Sequence, residues 1–177
     1  MKYLAEGLAV FDDVYLRSEE LIKLANDSPE WRPGTAGGDV NDDVRVTDVF
    51  DLKLDRTPLE KELIQELVDT FMFAVEQYGQ RYPHLQITKA ENLRIMRYTP
   101  GGFYKQHIDS ADGKRTLSGI LYLNTDVDGG NTLFPLQEVE VEPRAGRLLL
   151  FPSNFIYPHE STEVSDKVKY AVVVWFS

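Results

Sequence analysis

The sequence predicts a mainly β fold with flanking α-helices, in which a barrel or jelly roll forms the core. Helix-like segments come first, and about eight short strand-like segments follow from Glu91 onward, separated by turns. A run of short strands that follows helices favours a barrel or jelly roll backed by those helices. The length of 177 residues suits one domain, 1–177. Residues 1–90 would supply helical support and N-terminal strands, and residues 91–177 the β core.

The first segments predict short elements around one loop. Leu8–Phe11 is apolar and predicts an edge strand. Ser18, followed by two glutamates and an apolar run, predicts an N-capped helix that ends near Asn26. Residues 31–43 combine proline and glycines with polar residues, which predicts a loop, and residues 44–49 alternate as a strand does.

The clearest helix signal begins at Thr57. This residue supplies an N-cap, Pro58 suits the first helical position, and Glu60 completes a capping box. Apolar residues then recur at helical spacing, and they predict the face that packs on the core: Leu59, Leu63, Ile64, Leu67, Phe71 and Val75. The helix should end between Tyr78 and Tyr82, because Pro83 follows.

The C-terminal strands are predicted from short apolar or alternating runs between turns. They cover residues 93–98, 103–108, 116–124, 131–134, 139–141, 147–151, 155–159 and 168–176.

Composition excludes several kinds of site. The chain has no cysteine, so any metal site must use nitrogen and oxygen ligands. A net charge of −10 argues against binding to a phosphate backbone, and five basic residues near residue 107 form either a local patch or solvated strand edges. The sequence has no apolar run that could span a bilayer and no signal-peptide core, so we expect no membrane partner and a cytoplasmic location.

His107 and Asp109 form the first candidate site. Alternate residues of a strand share a face, so the imidazole and the carboxylate should point the same way. They are two thirds of a 2-His-1-carboxylate site, which binds Fe(II) and leaves positions open. Such a pair is more often structural when it stands alone. Of the two other histidines, His159 lies in a strand-like segment and is the candidate third ligand, whereas His84 is expected in an exposed loop.

Several motifs occur in the order found in one known family. They are residues 98–109, 115–118, 121–124, 129–135 and 143–151, followed by His159 and Lys169. Residues 93–176 thereby resemble the Fe(II)/2-oxoglutarate-dependent oxygenases, in the prolyl 4-hydroxylase-like branch. One departure is the turn before Lys169, where Lys167 replaces an expected glycine and Asp166 is expected to take the left-handed conformation.

The resemblance implies a fold, a cofactor set and residue roles. The core would be a double-stranded β-helix, the cupin-like jelly roll, with His107, Asp109 and His159 as ligands of Fe(II). Three positions would remain for 2-oxoglutarate and O2, with ascorbate as an optional reductant. Lys169 would bind the distal carboxylate of 2-oxoglutarate; otherwise its side chain would reach solvent. Further implied contacts are Tyr98, Tyr122 and Ser118 or Thr116 for 2-oxoglutarate, and Arg45, Arg115 and Trp175 for the substrate.

The reaction implied is hydroxylation of an unactivated C–H bond, with succinate and CO2 as products. A prolyl residue of a peptide or protein is the expected substrate, and a free amino acid or another small metabolite is the alternative. A demethylase of nucleic acid is disfavoured by the net charge. A non-catalytic jelly-roll binding module is the rival from another class, and zinc or manganese could occupy the same ligands.

Overall fold

A computed structural model describes residues 1–53 and 57–177, which form two antiparallel β-sheets and two helices. The strands are β1 (Lys2–Ala5), β2 (Leu8–Phe11), β3 (Arg32–Pro33), β4 (Arg45–Val46), β5 (Asp48–Asp51), β6 (Arg94–Tyr98), β7 (Phe103–His107), β8 (Leu117–Tyr122), β9 (Thr132–Phe134), β10 (Val139–Val141), β11 (Leu148–Pro152), β12 (His159–Ser161) and β13 (Lys169–Phe176); the helices are α1 (Ser18–Asn26) and α2 (Pro58–Arg81). The large sheet has the order β1-β2-β11-β8-β13-β6-β5-β3, and the small sheet has the order β10-β9-β12-β7-β4. The mainly β prediction with flanking helices is confirmed.

The large sheet is buried on both faces. Along β11, Leu148 and Leu150 belong to the core shared with the helices, whereas Leu149 and Phe151 pack with Phe134 of the small sheet. Successive side chains of a strand point to opposite faces, so a continuous apolar run marks a strand covered on both sides. The helices therefore cover one face of the large sheet, and the small sheet faces the other.

Helix α2 begins as predicted. Thr57 Oγ1 accepts a hydrogen bond from the Glu60 backbone N–H at 3.3 Å, and the Glu60 carboxylate accepts one from the Thr57 N–H at 2.6 Å. The predicted apolar face is buried except at Leu59, in the first turn, which is 49% exposed. Neither helix, within the two described ranges, is long and apolar enough to cross a membrane.

Two predictions for the N-terminal segments were wrong in detail. Leu8–Phe11 is an interior strand, because β1 pairs with its outer edge and β11 with its inner edge. Ser18 is the first residue of α1; Arg17 occupies the N-cap position without a capping hydrogen bond from its side chain.

The predicted strand over residues 44–49 is two strands in different sheets. β4 pairs with β7 of the small sheet, and β5 pairs with β6 of the large sheet. Thr47 lies between them and donates a hydrogen bond to the Arg97 carbonyl at 2.9 Å. The chain crosses from one sheet to the other here, which places Arg45 between the sheets. The preceding loop is confirmed, apart from the two-residue strand β3.

The C-terminal strands lie close to their predicted positions, with one correction. Residues 155–158 form a turn, in which the Tyr157 N–H donates to the Asn154 carbonyl at 3.1 Å, and the strand begins only at His159. Asp166 does not take the left-handed conformation. Its carboxylate instead accepts hydrogen bonds from the backbone N–H groups of Asp128 and Lys167. His84 lies exposed in a turn, as predicted.

Candidate active site

A cavity of about 420 Å³ lies between the two sheets. Both predicted histidine ligands, Asp109 and Lys169 line it, together with Arg45, Arg115 and Trp175. The fold therefore brings together residues that are up to 130 positions apart in the sequence.

Strand pairing places the two histidines side by side. β7 and β12 are antiparallel neighbours in the small sheet, and His107 is the register partner of His159. Asp109 follows β7 by two residues and closes the cluster from the side. Its Oδ1 lies 3.6 Å from His107 Nε2, and its Oδ2 lies 3.7 Å from His159 Nε2. The three predicted ligands thus converge on one point.

Backbone carbonyls set the tautomer of each histidine. His107 Nδ1 lies 2.9 Å from the Lys105 carbonyl oxygen, and His159 Nδ1 lies 3.2 Å from that of Tyr157. A carbonyl oxygen can only accept a hydrogen bond, so each Nδ1 carries the proton. Each Nε2 then directs its lone pair at the cluster, and this arrangement is typical of metal-binding histidines.

Asp109 is held in its charged form. Burial alone raises the pKa of this carboxyl, but the two histidines and a hydrogen bond from Ser118 outweigh that effect, so the pKa lies well below its ordinary value. Ser118 Oγ donates to Asp109 Oδ2 at 2.6 Å and lies 2.7 Å from Ser153 Oγ. Ser118 therefore orients the carboxylate, and its hydroxyl is engaged with Asp109 in this structure.

His159 lies in an apolar wall. Phe151 packs edge-on to its ring at 4.6 Å between centroids, and Phe134 stacks on it at 5.5 Å with an angle of 30° between the ring planes. Burial lowers the pKa of His159 to about 4 despite the nearby Asp109. His107 stacks on Tyr104, with 3.6 Å between the ring centroids. Both imidazoles are thus fixed by ring packing as well as by hydrogen bonds.

Lys169 is a buried cation in the same cavity. Its side chain is 2% exposed, and burial lowers its pKa to about 7. Nζ donates to the Ser161 hydroxyl at 2.9 Å and to the Gly130 carbonyl, and it lies 4.7 Å from the centre of the Tyr98 ring. No carboxylate of the described residues forms an ion pair with it. An unpaired buried ammonium is costly, so this position suits an anionic ligand.

The other residues implied for 2-oxoglutarate occupy different positions. Tyr98 lines the cavity, and its hydroxyl lies 3.5 Å from Met96 Sδ. Tyr122 is fully buried, and its hydroxyl donates to Thr132 Oγ1 at 2.7 Å. Thr132, rather than Tyr122, lines the cavity. Thr116 is exposed at the start of β8 and lies outside the cavity.

Arg115 and Trp175 form part of the cavity mouth. The Arg115 guanidinium lies 4.0 Å from the centre of the Trp175 ring and donates to the Asp109 carbonyl oxygen at 3.1 Å. Its remaining donors bind both oxygens of Glu91, at 2.6 and 2.8 Å. Arg115 therefore connects the backbone of Asp109 to Trp175 at the mouth of the cavity.

The cluster fits a single metal ion. The nitrogen and oxygen atoms that the three residues offer all lie within 4.8 Å of one another. Two imidazole nitrogens and one carboxylate make the 2-His-1-carboxylate donor set of Fe(II), with other coordination positions left open. The buried ammonium of Lys169 lies in the same cavity, where a bound dicarboxylate could reach it.

Comparison with known proteins agrees with this geometry. Residues 93–177 match the model of the 2OG-Fe(II) oxygenase superfamily. The match covers just under half of the chain and makes these residues similar to that superfamily. The superfamily uses Fe(II), 2-oxoglutarate and O2, for which the His107, Asp109 and His159 cluster supplies the metal ligands.

Individual relatives of the chain are named as prolyl hydroxylases. Prolyl 4-hydroxylase 1 of Arabidopsis thaliana is 28% identical over 99 residues, which are 44% of this chain and 35% of that protein. The chain thus spans less than half the length of this curated relative.

Two solved structures share the fold of the chain. One is the prolyl hydroxylase of Trichoplax adhaerens in complex with a peptide fragment of the hypoxia inducible factor oxygen degradation domain (TM-score 0.84, 23% identity, 96% of this chain and 83% of that chain). The other is a prolyl-4-hydroxylase of Pseudomonas putida (TM-score 0.77, 23% identity, 96% of this chain and 92% of that chain). The jelly-roll core expected from the sequence is thereby confirmed.

Several residues of the site were not anticipated from the sequence, among them the following three and Ser161, which binds Lys169. Ser153 supports Ser118, Glu91 binds Arg115, and Tyr104 stacks on His107. Tyr104 lies in the 98–109 motif, but residues three apart on a regular strand face opposite sides. The register shift between β7 and β12 brings its ring onto His107, and the sequence gives no sign of that shift. The other two contacts join distant strands and loops, and no local pattern indicates them.

Proposed function

We propose that the protein is a 2-oxoglutarate- and O2-dependent hydroxylase of prolyl residues in a peptide or protein. The observation that carries the proposal is the convergence of the metal-ligand cluster and the unpaired ammonium of Lys169 in one cavity. Prolyl hydroxylation is supported by the similar proteins, which are prolyl hydroxylases, and one of them was solved with a peptide.

Each residue has a defined task in this reaction. Bound Fe(II), together with 2-oxoglutarate and O2, supplies the oxidation of an unactivated C–H bond, with succinate and CO2 as the other products. Lys169 would bind the distal carboxylate of 2-oxoglutarate through a charge-assisted hydrogen bond. Ser118 holds the Asp109 carboxylate, and Phe134 and Phe151 keep water from the His159 side of the site.

The cavity mouth would orient the substrate. Trp175 and Tyr98 line the cavity, and aromatic side chains in a pocket suit an apolar ring such as that of proline. Arg115 contacts both Trp175 and the Asp109 backbone. It would therefore hold the part of the cavity wall that contacts the substrate in a fixed position relative to the metal ligands. The proposal extends to a cytoplasmic location and to ascorbate as an optional reductant.

The test is a substrate screen with two readouts. Proline-containing peptides are incubated with the protein, Fe(II) and 2-oxoglutarate, and succinate formation and the gain of one oxygen atom in peptide mass are measured. We expect both signals in the wild type, with the added oxygen on proline. Oxidation of free amino acids but of no peptide would replace prolyl hydroxylation with the small-metabolite alternative. Absence of metal-dependent succinate with every substrate would leave a binding module.

A further inference from the structure

Arg45 is a second buried cation without a counter-charge. Its side chain lines the cavity and is 7% exposed. It reaches this place because β4 belongs to the small sheet and β5 to the large one, so the chain crosses between the sheets just after it. Arg45 enters the cavity from the small sheet, whereas Lys169 on β13 enters it from the large sheet.

The contacts of Arg45 satisfy few of its donors. Nη1 donates to the Thr35 carbonyl at 2.8 Å, Nη2 lies 3.5 Å from Met96 Sδ, and the guanidinium lies 4.5 Å from the centre of the Tyr104 ring. Nε is buried without a hydrogen-bond partner in the structure. A guanidinium has five N–H donors, and a thioether is a weak acceptor. One carbonyl and one ring face do not neutralise its charge.

The neighbouring arginines are paired. Arg94 lies 3.1 Å from an Asp51 oxygen, although the hydrogen-bond geometry is poor. Arg97 binds Asp48 at 2.7 Å, and Arg115 binds Glu91. Among the residues that the structure describes, Arg45 forms no such ion pair. The chain has 29 acidic and 19 basic residues, so Arg45 does not lack a partner because acidic residues are few.

The loaded site supplies no partner for Arg45 either. In the proposed reaction the metal ion and Lys169 would bind the two carboxylates of 2-oxoglutarate, and Asp109 would be a metal ligand. Glu160 is the other acidic residue on the cavity lining, and among the described residues it forms no ion pair with Arg45. A buried charge without a partner is costly, so an anion is expected to join Arg45.

We propose that Arg45 binds a carboxylate of the substrate, so the preferred substrate is a peptide with an acidic residue, or a free C-terminus, near the target proline. This inference rests on the proposed function and adds a specificity-determining residue to it. Thr35, Gly37 and Gly38 also line the cavity, so the loop that Arg45 binds lies at the same mouth. The substrate carboxylate would complete an ion pair whose other half is already in place.

The test uses matched peptides and two variants of the protein. Proline-centred peptides carry Asp or Glu at flanking positions, and their partners carry Asn or Gln; a further set has free or amidated C-termini. Binding is measured by fluorescence anisotropy under anaerobic conditions with Fe(II) and 2-oxoglutarate, and oxygen is then admitted for mass analysis. The variants are Arg45→Met and Lys105→Gln, the second of which removes an exposed charge near the site.

Wild type and Lys105→Gln should bind the acidic peptides at least about tenfold more tightly than the amide peptides, and Arg45→Met should lose this preference. Preference for flanking acids indicates a side-chain carboxylate, whereas preference for free termini indicates the C-terminal one. Equal binding of acidic and amide peptides by the wild type, or an unchanged preference in Arg45→Met, overturns the inference. In that case an oxygen atom gained by proline still supports prolyl hydroxylation. Arg45-dependent binding without such a gain rejects the proposed function and retains the anion site.

Thermal unfolding separates recognition from a structural role. Replacing an unpaired buried charge with an apolar side chain of similar length is neutral or stabilising. Arg45→Met should therefore unfold at the same temperature as the wild type or at a higher one. A clear fall in unfolding temperature, together with equal loss of binding to acidic and amide peptides, would assign Arg45 to the fold and overturn the inference.

Discussion

The inner and outer walls of the cavity are built in different ways. The inner wall carries the metal ligands and Lys169, and strand pairing determines most of its geometry: His107 opposes His159, and Lys169 begins β13. The outer wall depends on long side chains and a loop, with Arg115 braced by Glu91 and Arg45 bound to Thr35. Substitutions in the inner wall should therefore abolish catalysis, whereas substitutions in the outer wall should change which substrates bind.

Asp109→Ala should have the largest effect, because it removes a metal ligand from the inner wall. Loss of the ~4 kcal/mol of stabilisation that a bound metal can supply lowers turnover by about a thousandfold or more. Succinate formation measures it. Asp112→Ala is the matched control, since that carboxylate is exposed in the following loop and pairs only with Lys114 among the described residues. Comparable losses of turnover in both variants would contradict the prediction, because an exposed carboxylate would then matter as much as a metal ligand of the inner wall.

Lys169→Met should make the metal-free protein more stable, because it removes an unpaired buried charge from the inner wall. We expect a gain of ~1–4 kcal/mol in the free energy of unfolding at pH 7. The folded pKa of Lys169 is about 7 and its ordinary value is 10.5, so the unfolded chain holds more protons between these values. Wild-type stability should rise with pH through that window, and the gap to the variant should shrink. Urea unfolding from pH 7 to 10 measures this; a constant gap would contradict it.

Ser118→Ala should weaken metal binding by about 10- to 100-fold, the range seen when a residue that supports a metal ligand is removed. The carboxylate of Asp109 loses the hydrogen bond that orients it, while its charge remains. Competition with a metal chelator measures the affinity. Ser165→Ala is the control, because this exposed serine lies outside the cavity. An unchanged metal affinity would show that Asp109 needs no such support.

Glu91→Gln should have the smallest effect, a change of about three- to tenfold in the KM for peptide, since a partly exposed ion pair contributes ~1 kcal/mol. The carboxylate that holds the Arg115 guanidinium against Trp175 becomes neutral, while the side chain keeps its shape. Peptide kinetics at saturating 2-oxoglutarate test this, with Glu19→Gln on α1 as control. A large fall in kcat at unchanged KM would contradict this prediction, because it would show that the Glu91–Arg115 ion pair supports catalysis rather than peptide binding.

The inner wall could be predicted from the sequence because its residues form motifs of short spacing. His107 and Asp109 are two residues apart, and the alternation of a strand indicates that they share a face. His159 and Lys169 lie within one strand–turn–strand unit whose order matches a family pattern. Tyr122 shows the limit of such matching: its hydroxyl is bound to Thr132, a contact that depends on how the two sheets face each other.

The outer wall could be predicted only in part because its contacts are distant in sequence. Residues 44–49 alternate like one strand, and nothing in that pattern indicates the crossing between sheets that places Arg45 in the cavity. Glu91 and Arg115 are 24 positions apart, and the short run around Glu91 has no recognisable motif. Side-chain pairing across a fold becomes visible only when the register of the sheets is known.

The central claim is that the metal cluster and Lys169 together bind 2-oxoglutarate. Anaerobic calorimetric titration of 2-oxoglutarate into the Fe(II)-loaded wild type, Lys169→Met and Lys105→Gln tests it most directly. Wild type and Lys105→Gln should bind with equal affinity, and Lys169→Met about 10- to 100-fold more weakly, because a charge-assisted hydrogen bond contributes ~1.5–3 kcal/mol. Equal affinity in all three proteins would contradict the account.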